Sequence, residues 1–312
     1  MIYKHKQYNF YIMQENSNLY ASSRGILKSC DYYSQNPISS INILYNYPHL
    51  EYLKTIKKPS IYICSSVIKS FIKCMLPQID YPFILVSGDC DETISNDMNN
   101  DYSNILLEDQ RLIHWFCQNN TIVHNKITTI PIGLDYHTLT QIPAWGDIST
   151  CKEQELSLIN IKSQSKPFWN REQKCYATFH FALRSNDRKD ALNNIDSDLV
   201  HYEENQITRL NTWNNQKDYT FVISPHGNGV DCHRTWEALC LGCIPIVKTS
   251  PIDILYKDLP VLIVEKWEDI NIELLERTSK VFKTKQINNE FNMHKLELKY
   301  WVELIKSYKD IN

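Results

Sequence analysis

Glycine is scarce in this chain: 7 residues in 312, where about 7% of positions is ordinary. A backbone this poor in glycine is expected to keep it where positive φ or the close approach of a ligand demands it. Excess charge is lacking too, since 33 Lys and Arg stand against 36 Asp and Glu. No basic surface advertises nucleic acid, and nothing points to an anionic membrane. Apolar runs such as Tyr219–Ser224 and Leu259–Val264 are strand-sized, far short of a membrane span. Met1-Ile2-Tyr3-Lys4-His5-Lys6-Gln7-Tyr8 lacks the apolar core of a signal peptide, which predicts a soluble, cytoplasmic protein.

Several signatures are missing as well. A G-K-[ST] phosphate loop is absent, which argues against an ATPase or GTPase, and a G-x-S-x-G elbow is absent, which removes the common hydrolase reading. The dinucleotide fingerprint fails because Cys232 stands where a third glycine would follow Gly227 and Gly229. The ten cysteines have no repeated spacing and read as reduced thiols, many of them small buried hydrophobes. Cys240-x-x-Cys243, with Cys232, His226 and His233 nearby, invites a zinc reading. Trp236, Leu239, Cys240 and Cys243 share an apolar face, however, and no second metal-spaced pair exists. No zinc site is expected.

What is present concentrates in Phe221–Glu237. An apolar, β-prone run stops at Ser224-Pro225, turns through His226, Gly227, Asn228 and Gly229, and enters a helical segment opened by Asp231. Arg234 and Glu237 lie three residues apart, hence on one helix face. Gly242 marks the helix stop, and Ile244–Val247 resumes as a buried strand. Strand, glycine turn, helix, strand is how α/β folds build a socket for an anion, because backbone N–H groups and the positive helix end point into the turn.

Both halves of the chain alternate β-prone runs with helical segments, the pattern of parallel α/β units. Strands are predicted at Ser40–Leu44, Ser60–Cys64, Phe83–Ser87 and Lys126–Pro131, then at Tyr176–Leu183, Leu199–Tyr202, Tyr219–Ser224, Ile244–Val247 and Val261–Val264. Helices are predicted over Pro48–Lys57, Ser66–Leu76, Leu106–Gln118, Cys151–Ser163 and a long tail from Asn288. The domain boundary falls between Thr140 and Pro167, giving units 1–160 and 161–312.

Three further clusters carry polar chemistry. Strand Phe83–Ser87 ends in Asp89 and Asp91, a D-x-D spacing that can hold a divalent cation against a diphosphate. One of these carboxylates can instead serve as a general base, and a solvated acidic loop has the same composition. Trp115–Asn119 and Ile130–His137 combine aromatics with Asn119, Asp135 and His137, the mixture a sugar cleft uses. The same residues also suit a surface loop. After Phe179–Leu183 come Arg184 and Arg188, two guanidinium forks suited to phosphate oxygens or to plain surface exposure.

Pro225-His226-Gly227-Asn228-Gly229, then Arg234-Thr235-Trp236-Glu237-Ala238-Leu239, then Gly242-Cys243-Ile244-Pro245-Ile246-Val247 resembles the C-terminal motif of exostosin-like glycosyltransferases. Segments around Ser87-Gly88-Asp89, Trp115–Asn119 and Pro131–Asp135 are similar to those of glycosyltransferase-like proteins, some from large DNA viruses. The resemblance implies a GT-B architecture: two Rossmann-like domains with parallel sheets facing a cleft, the nucleotide-sugar held by the C-terminal one. A C-terminal helix packing back across the junction is expected with it. Arg234 would meet the donor diphosphate and Glu237 the ribose or sugar hydroxyls, with Gly227 and Gly229 admitting the backbone. Arg184, Arg188, Ser224, His226, Asn228 and His233 complete the expected donor side, and Asn119, Asp135 and His137 the acceptor side. Asp89 or Asp91 would be the base. The expected partners are a nucleotide-sugar and a glycan or glycoprotein acceptor, without a metal cofactor. The rival readings are a metal-dependent GT-A transferase centred on Asp89 and Asp91, and an inactive sugar- or nucleotide-binding scaffold.

Overall fold

A computed structural model describes residues 15–33, 49–95 and 102–310. The strand expected at Ser40–Leu44 lies outside the described residues, as does the first residue of the helix expected over Pro48–Lys57. After a 3-10 turn at Glu15–Ser17 comes helix α1 (Ser23–Lys28), with the Ser22 hydroxyl accepting from Gly25 N–H at its N-terminus. Then come β1 (Ser60–Cys64), β2 (Phe83–Gly88), α2 (Tyr102–Glu108), β3 (Leu112–Cys117) and β4 (Ile127–Thr129). Among the described residues these strands form one sheet in the order β1-β2-β3-β4, every pairing parallel.

Helix α3 (Cys151–Ser163) follows, fixed by a capping box in which Thr150 and Glu153 satisfy each other's backbone N–H. The chain continues through β5 (Glu172–Ala177), α4 (Asn186–Asn194), β6 (Val200–Tyr202), α5 (Arg209–Gln216), β7 (Tyr219–Ile223), α6 (His233–Leu241), β8 (Ile244–Lys248) and β9 (Leu262–Val264). The second sheet is also wholly parallel, in the order β6-β5-β7-β8-β9. From β5 the chain winds one way to β6 and then the other way to β7. The C-terminal ends of β5 and β7 therefore flank a topological switch point, where α/β sheets open a crevice.

Side-chain alternation explains how the two sheets are held. In β2, Phe83 and Leu85 face one apolar layer and Ile84 and Val86 the opposite one, as a period of two requires. In β7, Phe221 and Ile223 face outward while Val222 faces inward. The inward faces of both sheets contribute to one continuous core with Leu158 and Ile161 of α3 and Trp236 and Leu239 of α6. The mixed α/β architecture with two parallel sheets is thus as expected. The predicted boundary region contains α3, which packs against α5 and α6.

Helices α7 (Ile272–Ile287) and α8 (Leu298–Ser307) end the chain. Helix α8 buries Leu298, Trp301 and Ile305, an i, i+3, i+7 stripe. Leu298 N–H donates to the Leu19 carbonyl at 2.9 Å, and the Tyr308 ring lies 4.1 Å from that of His114 on β3. The C-terminal helix thus touches α1 and β3. Among the described residues no helix is long and apolar enough to cross a membrane.

Three expectations about elements fail. The helix predicted over Leu106–Gln118 ends at Glu108, and Leu112–Cys117 is strand β3, paired with β2 and β4. Its side chains are almost all buried, because a central parallel strand is covered on both faces and loses the alternation that marks exposed strands. The strand predicted at Tyr176–Leu183 runs earlier, as β5, and Phe179–Phe181 form a 3-10 turn. The tail from Asn288 splits into a 3-10 turn at Met293–Leu296 and helix α8.

Candidate functional site

A cavity of about 730 Å³ opens at the switch point, the volume of a small-molecule site. The loop after β5 supplies Thr178, Phe181 and Arg184, the first turn of α4 supplies Arg188, and the loop after β7 supplies Gly227, Asn228, Gly229 and Asp231. The N-terminal turns of α6 add His233, Arg234 and Glu237, and from the first sheet's side come Asp91, Ile132 and Asp135. Two loops from the second sheet and two from the first therefore meet around one space.

The glycine loop is shaped by its neighbours. Gly227 N–H donates to the Gly229 carbonyl at 3.1 Å. A Cβ on Gly229 would stand 3.0 Å from Asn119 Nδ2 and 3.1 Å from the Asp91 carbonyl oxygen, so the loop lies hard against the first sheet. Of the three clustered glycines only Gly242 has positive φ, as the left-handed cap that ends α6. The helix begins at His233, with Cys232 as its uncapped N-cap position, two residues later than expected. Asp231 is instead a buried staple. Its carboxylate accepts from Ile132 N–H at 2.8 Å, Trp236 Nε1 at 2.9 Å, Tyr256 OH at 3.1 Å and Cys232 N–H at 2.9 Å.

Arg188 and Arg234 stand together at the wall. Arg188 Nη1 donates to the Ala182 carbonyl at 2.8 Å while its Nε is buried without a partner. Arg234 makes no hydrogen bond or ion pair among the described residues, and its Nη1 is likewise buried and unpartnered. Burial pulls the Arg234 guanidinium below its usual range, and the like charge of Arg188 adds to this against the opposing pull of Cys232 and Glu237. Leaving such donors unpaired costs about 1–3 kcal/mol each. Arg184 is exposed at the rim, and it follows the 3-10 turn instead of ending a strand.

Arg209, the first residue of α5, ties Glu237, Asp135 and Gln154 together. Its Nε lies 3.6 Å from Glu237 Oε1 and its Nη2 3.5 Å from Asp135 Oδ2. Nη1 donates to Gln154 Oε1 at 3.0 Å, and the guanidinium stands 5.2 Å from the Trp145 ring and 5.7 Å from that of Trp213. Asp135 also accepts from Thr138 N–H at 3.0 Å and Thr138 Oγ1 at 2.7 Å, with His137 Nδ1 at 3.0 Å. Burial would raise the Asp135 carboxyl, but His137, His233, Arg209 and Thr138 together hold it well below the usual carboxylate range. Burial takes the His137 imidazole down to about 4, so it is neutral near pH 7.

The expected site is thus assembled in part. Asp91, Asp135, Arg184, Arg188, Gly227, Asn228, Gly229, His233, Arg234 and Glu237 line one cavity. Asp89 does not: its carboxylate is 3.0 Å from Arg24 Nε, nearly buried. Asp91 accepts from Asn228 Nδ2 at 3.2 Å instead, so the D-x-D pair does not converge on one point. Among the described residues no group of three or more His, Cys, Asp and Glu is placed to hold a metal ion.

Four other expected residues also stand back from the wall. Ser224 Oγ bonds Thr235 Oγ1 at 2.8 Å inside the core. His226 N–H donates to Asp187 Oδ2 at 2.8 Å. Asn119 is buried and bridges, accepting from Asp231 N–H at 2.9 Å and donating to the Cys90 carbonyl at 3.0 Å. His137 serves Asp135. The aromatics expected to face a sugar, Trp115 and Phe116, are wholly buried; Trp145 and Phe181 are the exposed rings at the cavity. Arg209, Trp145 and Phe181 belong to no sequence motif, and Asp231 had shown only as a helix start. No protein-family model matches the chain, and no curated protein matches it.

Proposed function

We propose that the protein is a glycosyltransferase that moves a sugar from a nucleotide-sugar to a hydroxyl acceptor. The observation that carries this reading is the pair of guanidinium groups, Arg188 and Arg234, with unpartnered donors at a glycine loop and helix N-terminus in the switch-point cavity. Fork-shaped cations of this kind suit a diphosphate, first bound and then leaving with increased charge. Arg184 at the rim adds a third. Glu237, three residues along α6 from Arg234 and 3.6 Å from Arg209 Nε, offers a carboxylate to sugar or ribose hydroxyls. The exostosin-like resemblance of Pro225–Val247 assigns the same roles to Arg234 and Glu237, and a GT-B arrangement accords with two parallel sheets meeting at the cavity.

Incubation with UDP-glucose, UDP-N-acetylglucosamine and GDP-mannose, followed by assay of free nucleoside diphosphate, tests the proposal. Slow release is expected from at least one donor. Glu237→Gln is expected to lower it by about 10- to 100-fold, the worth of a hydrogen bond to a charged group. Tight nucleotide binding with no release under any acceptor would point to the scaffold reading, and neither binding nor release would remove both.

A further inference from the structure

The glycosyl-transfer reading needs a group that takes the proton of the acceptor hydroxyl, and the two carboxylates expected for that role are poorly placed. Asp89 is held by Arg24 away from the cavity wall. Asp91 faces Asn228 on an exposed loop. Of the remaining carboxylates at the wall, Asp135 and Asp231 already accept several hydrogen bonds each, and Glu237 faces Arg209.

We infer that His233 is the general base, acting through Nε2. The assignment rests on the glycosyl-transfer reading above. His233 is the first residue of α6 and lines the cavity beside Arg234. Its Nδ1 lies 2.7 Å from the Gly133 carbonyl oxygen. A carbonyl can only accept, so Nδ1 carries the proton and Nε2 is left with its lone pair. Nε2 makes no hydrogen bond among the described residues. The Gly133 carbonyl is itself fixed: Gly133 has φ 65°, its backbone pairs with Ser22, and the neighbouring Leu134 N–H donates to the Ala21 carbonyl at 2.8 Å. A buried turn of the first sheet's side thus orients the imidazole on the second.

Asp89, Asp135 and Asp231 all lie near enough to interact with His233 electrostatically. In the step itself the acceptor O–H proton passes to Nε2, and the acceptor oxygen forms a bond to the anomeric carbon. The bond from that carbon to the donor phosphate oxygen breaks, and the nucleoside diphosphate leaves with the electron pair toward Arg188 and Arg234. The imidazolium keeps Nδ1–H on Gly133 and returns its new proton to water.

Donor hydrolysis, with water as acceptor, tests this on the full chain with the same three nucleotide-sugars. His233→Asn keeps an amide N–H for the Gly133 carbonyl and removes the base. UDP or GDP affinity is expected within twofold of wild type, kcat down by about 100-fold or more, and the acid limb of the pH–rate profile lost. Imidazole in solution should restore part of the rate to His233→Ala. A His233→Asn protein with wild-type kcat and pH profile would overturn the assignment, as would nucleotide affinity falling in step with the rate, which would return His233 to donor binding. Wild-type protein that hydrolyses none of the donors would instead overturn the glycosyl-transfer reading, and the base with it.

Discussion

At the scale of single residues, the cavity's chemistry comes from what each group is denied. Among the described residues Arg234 is denied a carboxylate partner, Arg188 a partner for Nε, and His233 a partner for Nε2, whereas Asp89 is paired with Arg24 and Asp135 and Asp231 each accept several hydrogen bonds. Groups left wanting at a cavity wall are the ones that engage a ligand. The same logic picks out a reactive thiol. All ten cysteines are free, and burial raises most of them, Cys175 and Cys240 among them. Cys90 differs: a hydrogen bond from the Cys64 thiol brings it down to about 7 despite partial burial. Iodoacetamide at pH 7.5 is expected to modify Cys90 ahead of every buried cysteine, as peptide mass spectrometry would read, and Cys64→Ala to slow that reaction. Equal labelling of Cys90 and the buried thiols would contradict the hydrogen bond's effect.

Strand β3 and helix α8 show how elements of distant sequence depend on each other. His114 of β3 is buried under Tyr308 at the end of α8, with Nε2 2.8 Å from Thr128 Oγ1. Burial, and then the charge of His124, takes its imidazole down to about 4. The unfolded chain binds that proton near pH 6.5 and the folded chain refuses it to about pH 4, so stability falls as pH drops through that window. The urea midpoint of the wild type should therefore fall more between pH 7 and pH 5 than that of His114→Gln. Equal falls would contradict the burial of a neutral His114. The contact was invisible in the sequence, because Leu112–Cys117 lacks alternation and nothing marks Tyr308 as its cover. The units with strong local signals were legible: β1, β7, α3 and the turn from β7 into α6. Their residue composition and Gly242 act within a few residues. Arg209 escaped notice because its importance comes from Asp135, Gln154 and Glu237, which only the tertiary fold brings to it.

Across the whole molecule, the two parallel sheets both contribute to one inward core. Asp231 binding Ile132 N–H, Asn119 binding Asp231 N–H, and His233 binding the Gly133 carbonyl each cross from one sheet's loops to the other's. The cavity lies at that seam, so its walls are set by the same bonds that join the sheets. The central claim is that this seam holds a nucleoside diphosphate on Arg188 and Arg234. Calorimetric titration of UDP and GDP into the full chain and into Arg234→Met tests it most directly. Saturable binding of at least one nucleotide is expected, weakened about tenfold or more in the variant and weakened further by added salt. Binding of equal strength in Arg234→Met, or no binding of either nucleotide to the wild type, would contradict it.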